Sequence, residues 1–407
     1  MKILQVNNHN GPMGGTEKYF HDLCQLLESN GNQVAVFSSK SKNNIKSKWD
    51  KYFSKEIPMD NINYTNVVWV FINMIYSTDS RKKISALLDD FKPDIVHVHN
   101  IYHYISPSIL YEIKRRNIPC VCTLHDYNLI TPNNTFFHQG AICEIPREDN
   151  FLKTLFHRCV RGSFVGTFIT LSTLYFHRMT RAYEKNIDVF VSPSNFLIKK
   201  FKEYNFDTKK IIHIPNFSLN PKTRVQKSSN YVLYFGQVSD HKGINLIISS
   251  AKLLSNINFK IIGDGPLLRT TRKQVKEMAI KNVKLIGSKS KQDIVRYVQE
   301  CSFVIVPSLW YENAPLSIIE SFALGKPVIA SKIGGIPELV NNKNGFLFNV
   351  SQPKIFAKQI KKLWENKNLQ KKLGKQAKKD FLETYSGSLH YRNIINIYKN
   401  LVYEEKK

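Results

Sequence analysis

Two glutamates eight positions apart, Glu312 and Glu320, bracket a run with the makings of an anion site. Apolar residues 303–306 predict a strand before them, and residues 327–330 predict another after. Between the two, Pro315 suits the start of a helix and Ile318, Ile319 and Phe322 supply one apolar face, so a helix is expected from Leu316. The N–H groups of residues 313–317 would then lack intrahelical acceptors and point at an anion beyond the strand ends. Carboxylates suit sugar hydroxyls better than they suit phosphate. The chemistry implied is the binding of a phosphate with a hydroxylated group on either side, as in a nucleotide sugar.

Two further groups of residues could take part. After a strand at 231–235 come Gly236, Gln237 and, at the start of a helix at 244–254, Lys242-Gly243. Glycine there lets a backbone pass close to a ligand, and Lys242 puts a cation at the turn. Past a strand at 119–124 stands His125-Asp126-Tyr127, where α/β sheets place their chemistry. His97, His99, His103 and His138 are close in sequence. His97 and His99, however, alternate on a predicted strand with no carboxylate at ligand spacing, which favours packing over a metal site.

These groups need a scaffold of alternating strands and helices. Residues 3–6 read as a strand, Gly11-Pro-Met-Gly-Gly15 as a loop, and Thr16 to Leu27 as a helix that Asn30-Gly31 ends. Strands follow at 34–37, 94–99 and 119–124, the last two joined by a helix at 106–116. The glycine loop does not fit the dinucleotide pattern, so alone it signals no more than a tight turn. The aromatic run 67–76 is expected to be a core helix, and the uncharged residues 162–176 a buried helix in preference to an interfacial one. Strands at 188–191 and 211–214, with a Ser194 helix cap between them, complete a first sheet. Turn formers and lysines at 215–229 read as a linker. Strands recur at 259–262 and 283–286, and helices fill the chain after residue 350.

The Glu-x7-Glu spacing, the tail Ala323-Leu-Gly-Lys-Pro-Val-Ile-Ala-Ser331 and Gly334-Gly-Ile-Pro-Glu338 resemble the retaining glycosyltransferases of family 4. That resemblance implies a GT-B α/β fold, two Rossmann-like domains facing each other across a cleft. The implied division is residues 1–217 for acceptor binding with an insertion at about 133–181, residues 218–385 for the nucleotide sugar, and a helix at 386–407 crossing back. It also implies roles. Glu312 approaches the transferred sugar, Glu320 holds the ribose, and Asn313, Ala314, Pro315 and Leu316 hold the diphosphate. His125 faces the sugar, Gly15 brings an amide to the diphosphate, and Ile286 lies against the base. Gly236, Gln237 and Lys242 match a phosphate motif that usually carries arginine where Gln237 stands, so one expected cation is missing. Cys143, Cys159 and Arg161-Gly-Ser163 resemble a pattern in members that build bacterial surface polysaccharides. Thr131 and Pro146 stand where cysteine often occurs there, so the resemblance implies no four-sulfur site and leaves a Cys143 to Cys159 proximity open.

The expected activity is transfer of a hexose from a nucleotide diphosphate sugar to a growing, lipid-carrier-linked glycan, with retention and without metal or other cofactor. No Asp-x-Asp occurs, so leaving-group charge would fall on Lys242 and the amides. An alternative is a relative that binds the donor with weak or lost transfer. The chain has 407 residues and a net charge of +27, which suits phosphorylated ligands, anionic lipid or nucleic acid alike. No aromatic-interleaved basic face is found, so a nucleic-acid partner is not expected. Lys354, Lys358, Lys361 and Lys362 fit either a solvated helix face or a lipid-facing one. Without an apolar signal region or a spanning stretch, the expected place is the cytoplasm, with peripheral contact at the inner face of the plasma membrane.

Overall fold

The computed structural model describes residues 1–407 except 12–13, 59–61, 63–64, 149, 222–228 and 405–407. Two residues of the glycine loop and the middle of the expected linker thus lie outside the described residues. The chain divides into two compact units. The first comprises Met1–Phe136, Glu144–Ile214 and His390–Lys407; the second comprises Phe137–Cys143 and Pro215–Leu389.

In chain order the strands are β1 (Lys2–Val6), β2 (Gln33–Phe37), β3 (Ile95–Val98), β4 (Cys120–Thr123), β5 (Phe137–His138), β6 (Ala141–Ile142), β7 (Val189–Ser192) and β8 (Ile211–His213). There follow β9 (Val232–Phe235), β10 (Phe259–Ile262), β11 (Val283–Gly287), β12 (Phe303–Val306), β13 (Val328–Ser331) and β14 (Gly345–Phe348). The first unit holds a six-stranded sheet ordered β2-β1-β3-β4-β7-β8, and the second one ordered β11-β10-β9-β12-β13-β14. Every strand pair in these two sheets is parallel. Such strands are covered on both faces, which is why β3, β4, β9, β12 and β13 are buried throughout. Both units are Rossmann-like, and each has a topological switch point, β1/β3 in the first and β9/β12 in the second.

Helices seat their apolar faces on these sheets. Gly15–Ser29 buries Tyr19, Phe20, Leu23 and Leu27, and Leu316–Ala323 buries Ile318, Ile319 and Phe322 as their spacing predicts. The Ser194 hydroxyl accepts from the Leu197 N–H and caps the helix Asn195–Glu203. The four lysines at 354–362 lie on an exposed face of the helix Pro353–Glu365. The antiparallel pair β5/β6 was not visible in the sequence; it belongs to the second unit, where the Phe137 ring meets that of His241 at 6.2 Å.

Two helix expectations need correction. The uncharged stretch forms the helix Phe164–Thr180, but this is buried on one side only, with Val165, Phe168, Phe176 and Met179 exposed. The helix Val67–Ile75 likewise buries Val70 and Met74 while Val68, Trp69 and Ile72 are exposed. In Val67–Ile75 all but Asn73 are apolar, and in Phe164–Thr180 Thr167, Thr170, Thr173 and His177 are on the buried side while large apolar residues face out, so periodicity could not distinguish a core helix from one with an open face.

Candidate active site

In the second unit the turns after β9 and β12 meet at the switch point, and main chain presses on main chain. Gly243 has φ +74°, and a Cβ there would sit 1.9 Å from the Pro307 carbonyl oxygen. Leu309 N–H donates to the His241 carbonyl at 2.8 Å, tying the two turns together. The turn after β13 closes the other side. Gly334 has φ +59°, its Cβ would lie 2.3 Å from the Glu312 carbonyl oxygen, and Gly335 N–H donates to that oxygen at 2.6 Å. Glycine is needed at both places by φ and by contact.

This packing fixes the Glu312 carboxylate. Its Oε1 accepts from Lys242 Nζ at 2.6 Å and from the Ser308 hydroxyl at 2.7 Å, and the residue is 5% exposed. Burial alone would raise its pKa; the Lys242 charge and the hydrogen bonds outweigh burial and hold it below the usual value, so it is ionised at neutral pH. The Lys242 ammonium also lies 4.8 Å from the Trp310 ring centroid. A lysine has three N–H donors, so the ion pair with Glu312 leaves others for a ligand.

Next to this pair the helix Leu316–Ala323 begins after Pro315, with no side-chain cap. Asn216 Nδ2 donates to the Ala314 carbonyl at 3.0 Å and steadies the approach to the helix. Asn313, Ala314, Pro315 and Leu316 therefore lead into a helix N-terminus beside Glu312, and Glu320 lies one turn in, partly exposed. Gly236 is exposed, with φ +151°. Its N–H donates to the Ile262 carbonyl at 3.0 Å, and its own carbonyl lies where a Gly263 Cβ would be. The Gln237 side chain is exposed, while its carbonyl accepts from the Tyr234 hydroxyl at 2.6 Å. Ile286 is partly buried on β11, the edge strand of the sheet.

In the first unit His125 stands past β4 at the end of a buried hydrogen-bonded chain. His125 Nε2 meets His99 Nδ1 at 3.0 Å, His99 Nε2 meets Gln5 Oε1 at 2.8 Å, and Gln5 Nε2 donates to the Tyr398 hydroxyl at 3.4 Å. Tyr398 in turn meets His97 Nδ1 at 2.5 Å, and His97 Nε2 meets Thr123 Oγ1 at 2.8 Å. The Gln5 amide gives the chain a direction. Its oxygen faces His99, so His99 donates from Nε2 and accepts at Nδ1, and His125 must donate from Nε2 and keep Nδ1 as an acceptor. Burial depresses the His125 pKa to about 3, so the ring is neutral. The Tyr19 ring packs edge-on against it at 5.0 Å.

Beside it, burial pushes the Asp126 carboxyl up to about 6, and the negative charge of Glu17 adds to that against the hydrogen bonds of Asn128. Gly15 opens the helix after the glycine loop, and nothing lies within 4 Å of where its Cβ would be. Packing within the unit therefore does not demand glycine there. All six cysteines are buried.

The sequence reading missed Ser308, Trp310 and Asn216 as supports, and missed the network behind His125. Ser308 and Trp310 flank Glu312 within four residues and could have been found as neighbours. Gln5 and Tyr398 are 393 positions apart, and no local pattern joins them.

The solved structure of the Anabaena protein HepE in complex with UDP and glucose superposes with a TM-score of 0.68 at 15% identity, covering 98% of this chain and 100% of that one. This places the fold in the GT-B class of glycosyltransferases. The chain belongs to Glycosyltransferase Family 4, whose family model matches residues 13–217, and the model for Glycosyl transferases group 1 matches residues 217–380. An uncharacterised glycosyltransferase of Methanocaldococcus jannaschii is 31% identical over 42% of this chain and 48% of its own length, so the match spans about half of that relative. An uncharacterised 42.6 kDa protein in the cps region of Klebsiella pneumoniae is 24% identical over 83% of this chain and 87% of its own.

Proposed function

We propose that this glycosyltransferase moves a hexose from a nucleotide diphosphate sugar to a growing glycan carried on a polyprenyl lipid, with retention of configuration and without a metal ion. The observation that carries the reading is the meeting of Glu312, Lys242 and an uncapped helix N-terminus at one switch point. Departure of a nucleoside diphosphate leaves negative charge on phosphate and positive charge at the anomeric carbon. Lys242 and the amides of residues 313–317 answer the first, and the buried Glu312 carboxylate answers the second. Glu320 accepts from ribose hydroxyls, Ile286 lies against the base, and the Gly15 amide adds a donor to the diphosphate. His125, held with Nδ1 as acceptor, takes a hydrogen bond from a hydroxyl of the transferred sugar rather than supplying a proton.

The comparisons support the choice of ligand and product. HepE was solved with UDP and glucose, and the Klebsiella relative is encoded in a cps region. Retention is proposed from the resemblance of the Glu312 to Glu338 stretch to the retaining members of the family. The proposed place of action is the cytoplasmic face of the plasma membrane; no described helix is long and apolar enough to cross it.

A panel of nucleotide sugars screened by thermal shift should select one donor, and that donor should be turned over fully in the presence of EDTA. The product's anomeric proton coupling then reports retention. Tight, salt-sensitive oligonucleotide binding with no donor binding would reject the proposal. The uncharged, exposed Gln237 favours a second reading, donor binding with weak or lost transfer. Donor hydrolysis that Glu312→Ala abolishes rejects that one.

A further inference from the structure

Three helices of the first unit carry an apolar face that nothing within the unit covers. On Phe164–Thr180 the exposed Val165, Phe168, Phe176 and Met179 fall on one stripe, while Thr167, Leu171, Leu174 and His177 are buried opposite. Val67–Ile75 packs Val70 and Met74 with Ile169 of that helix and turns Val68, Trp69 and Ile72 outward. Phe151–Phe156 adds Leu152 and Phe156, and the Phe156 ring is 5.9 Å from that of Phe164. Met179 is 82% exposed, Phe156 69%, Val68 67% and Leu152 62%, far beyond what scattered surface apolar residues account for.

Charge says what covers this face. Residues 151–183 include five lysines and arginines and no acid, and residues 61–78 have no charge at all. Lys153, Arg158 and Arg161 are exposed beside the apolar stripe. A second copy seated on the same face would bring two cationic rims together, which like-charge repulsion disfavours. Aromatic, methionine and aliphatic side chains with a cationic border instead match the headgroup boundary of an anionic membrane.

We propose that this three-helix face docks the protein on an anionic lipid bilayer, with Phe156, Phe168, Met179 and Trp69 entering the interfacial layer. The inference deepens the membrane-carried acceptor proposed above and rests on it for its purpose. Its test is independent of that reading, because vesicles without any glycolipid report the surface alone.

The full chain should float with vesicles containing about 30% phosphatidylglycerol and bind neutral phosphatidylcholine vesicles at least roughly tenfold less. The pair Phe168→Glu with Met179→Glu should lower the vesicle partition coefficient by about tenfold or more while thermal unfolding stays unchanged. A second pair, Leu152→Ser with Phe156→Ser, should do the same from the neighbouring helix. Trp69 should shift its emission to the blue on vesicle addition, a shift that Trp69→Phe removes. Wild-type protein that ignores anionic vesicles, or variants that bind as well as wild type, would overturn the proposal. So would a vesicle-free dimer that the same variants dissociate, since a second copy would then be the occupant. Loss of donor turnover in wild type would count against the proposed reaction alone.

Discussion

The two units hold their site residues by opposite means. In the second, Glu312 is placed by main chain against main chain, with Gly243 on Pro307 and Gly334 on Glu312 itself. In the first, His125 is placed by side chains handing hydrogen bonds to one another from Thr123 through His97, Tyr398, Gln5 and His99. Contacts between backbones tolerate no added atom but ask little of the side chains around them. A side-chain chain tolerates changes of shape but not the loss of a donor or acceptor. The sharpest break is therefore expected from one methyl group. Gly334→Ala sets a Cβ against the Glu312 carbonyl at a left-handed φ, and should cost about 3 kcal/mol of stability. Displacing Glu312 should lower transfer at least about a hundredfold. Urea unfolding and initial rates check the two effects, and near-wild-type values in both would mean that backbone contact does not set this site.

Removing charge from the same place should cost slightly less and leave a distinct signature. Lys242→Met strands the Glu312 carboxylate in a buried place without its cation, a loss of about 2 kcal/mol with weakened donor binding. Adding Glu312→Gln removes the stranded charge, so the double variant should recover most of the stability and none of the transfer. Calorimetric donor titration together with thermal unfolding of the single and double variants separates the two results. A double variant no more stable than Lys242→Met would show that the pair does not carry the effect.

For the first unit the comparable break is Gln5→Leu, which removes the acceptor that fixes the His99 tautomer. His125 should then populate both tautomers, and kcat should fall roughly tenfold with little change in KM for the donor. Nitrogen-15 spectra of labelled histidine report this directly, with His125→Gln identifying the signal. Wild type should show His125 protonated on Nε2. A proton on Nδ1 instead would reverse the direction assigned to the chain.

The same contrast explains what the sequence disclosed. The second unit's site lies in short stretches, Gly236–Gly243 and Ser308–Glu338, because adjacent turns at a switch point must carry glycine, proline and charge at fixed spacing. Glu312, Lys242 and the helix at Leu316 were legible for that reason. At Gly236 the sequence shows only that a left-handed backbone is wanted, and the φ of +151° found there agrees with that. His97 and His99 were legible as packed residues, yet their partners Gln5 and Tyr398 sit at opposite ends of the chain. The open faces of the helices at 67–75 and 164–180 were hidden, in the first by near-uniform apolarity and in the second by threonines on its buried side, since exposure there follows from what the fold leaves uncovered.

The smallest expected effect comes from acid, and it should fall unequally on the two units. Burial keeps His97, His99, His103, His125 and His177 of the first unit neutral, with folded pKa values depressed to about 4 for His103 and His177 and about 3 for His125. In the unfolded chain each would protonate near 6.5. The stability they contribute is therefore complete above that value and is lost as pH falls from about 6.5 toward the folded values. Asp126 and Glu17 act in the opposite sense, because their raised pKa values contribute stability below the unfolded carboxyl value that is lost as pH rises through the folded one, about 6 for Asp126. With His21, whose pKa burial also lowers, six depressed imidazoles among the described groups stand against these two raised carboxyls, and the first unit loses stability on acidification. In the second, His241 is depressed to about 4, and Glu312, held below its usual value, begins to lose its contribution only as pH falls through the carboxylate range. Hydrogen exchange, corrected for its intrinsic pH dependence, should show peptides of β3 and β4 losing more protection than those of β9 and β12 between pH 7.5 and 5.5. Asp126→Asn removes an opposing group and should steepen the loss in the first unit while leaving the second unchanged. Equal loss in both units would mean that the buried imidazoles of the first exchange their protons without opening it.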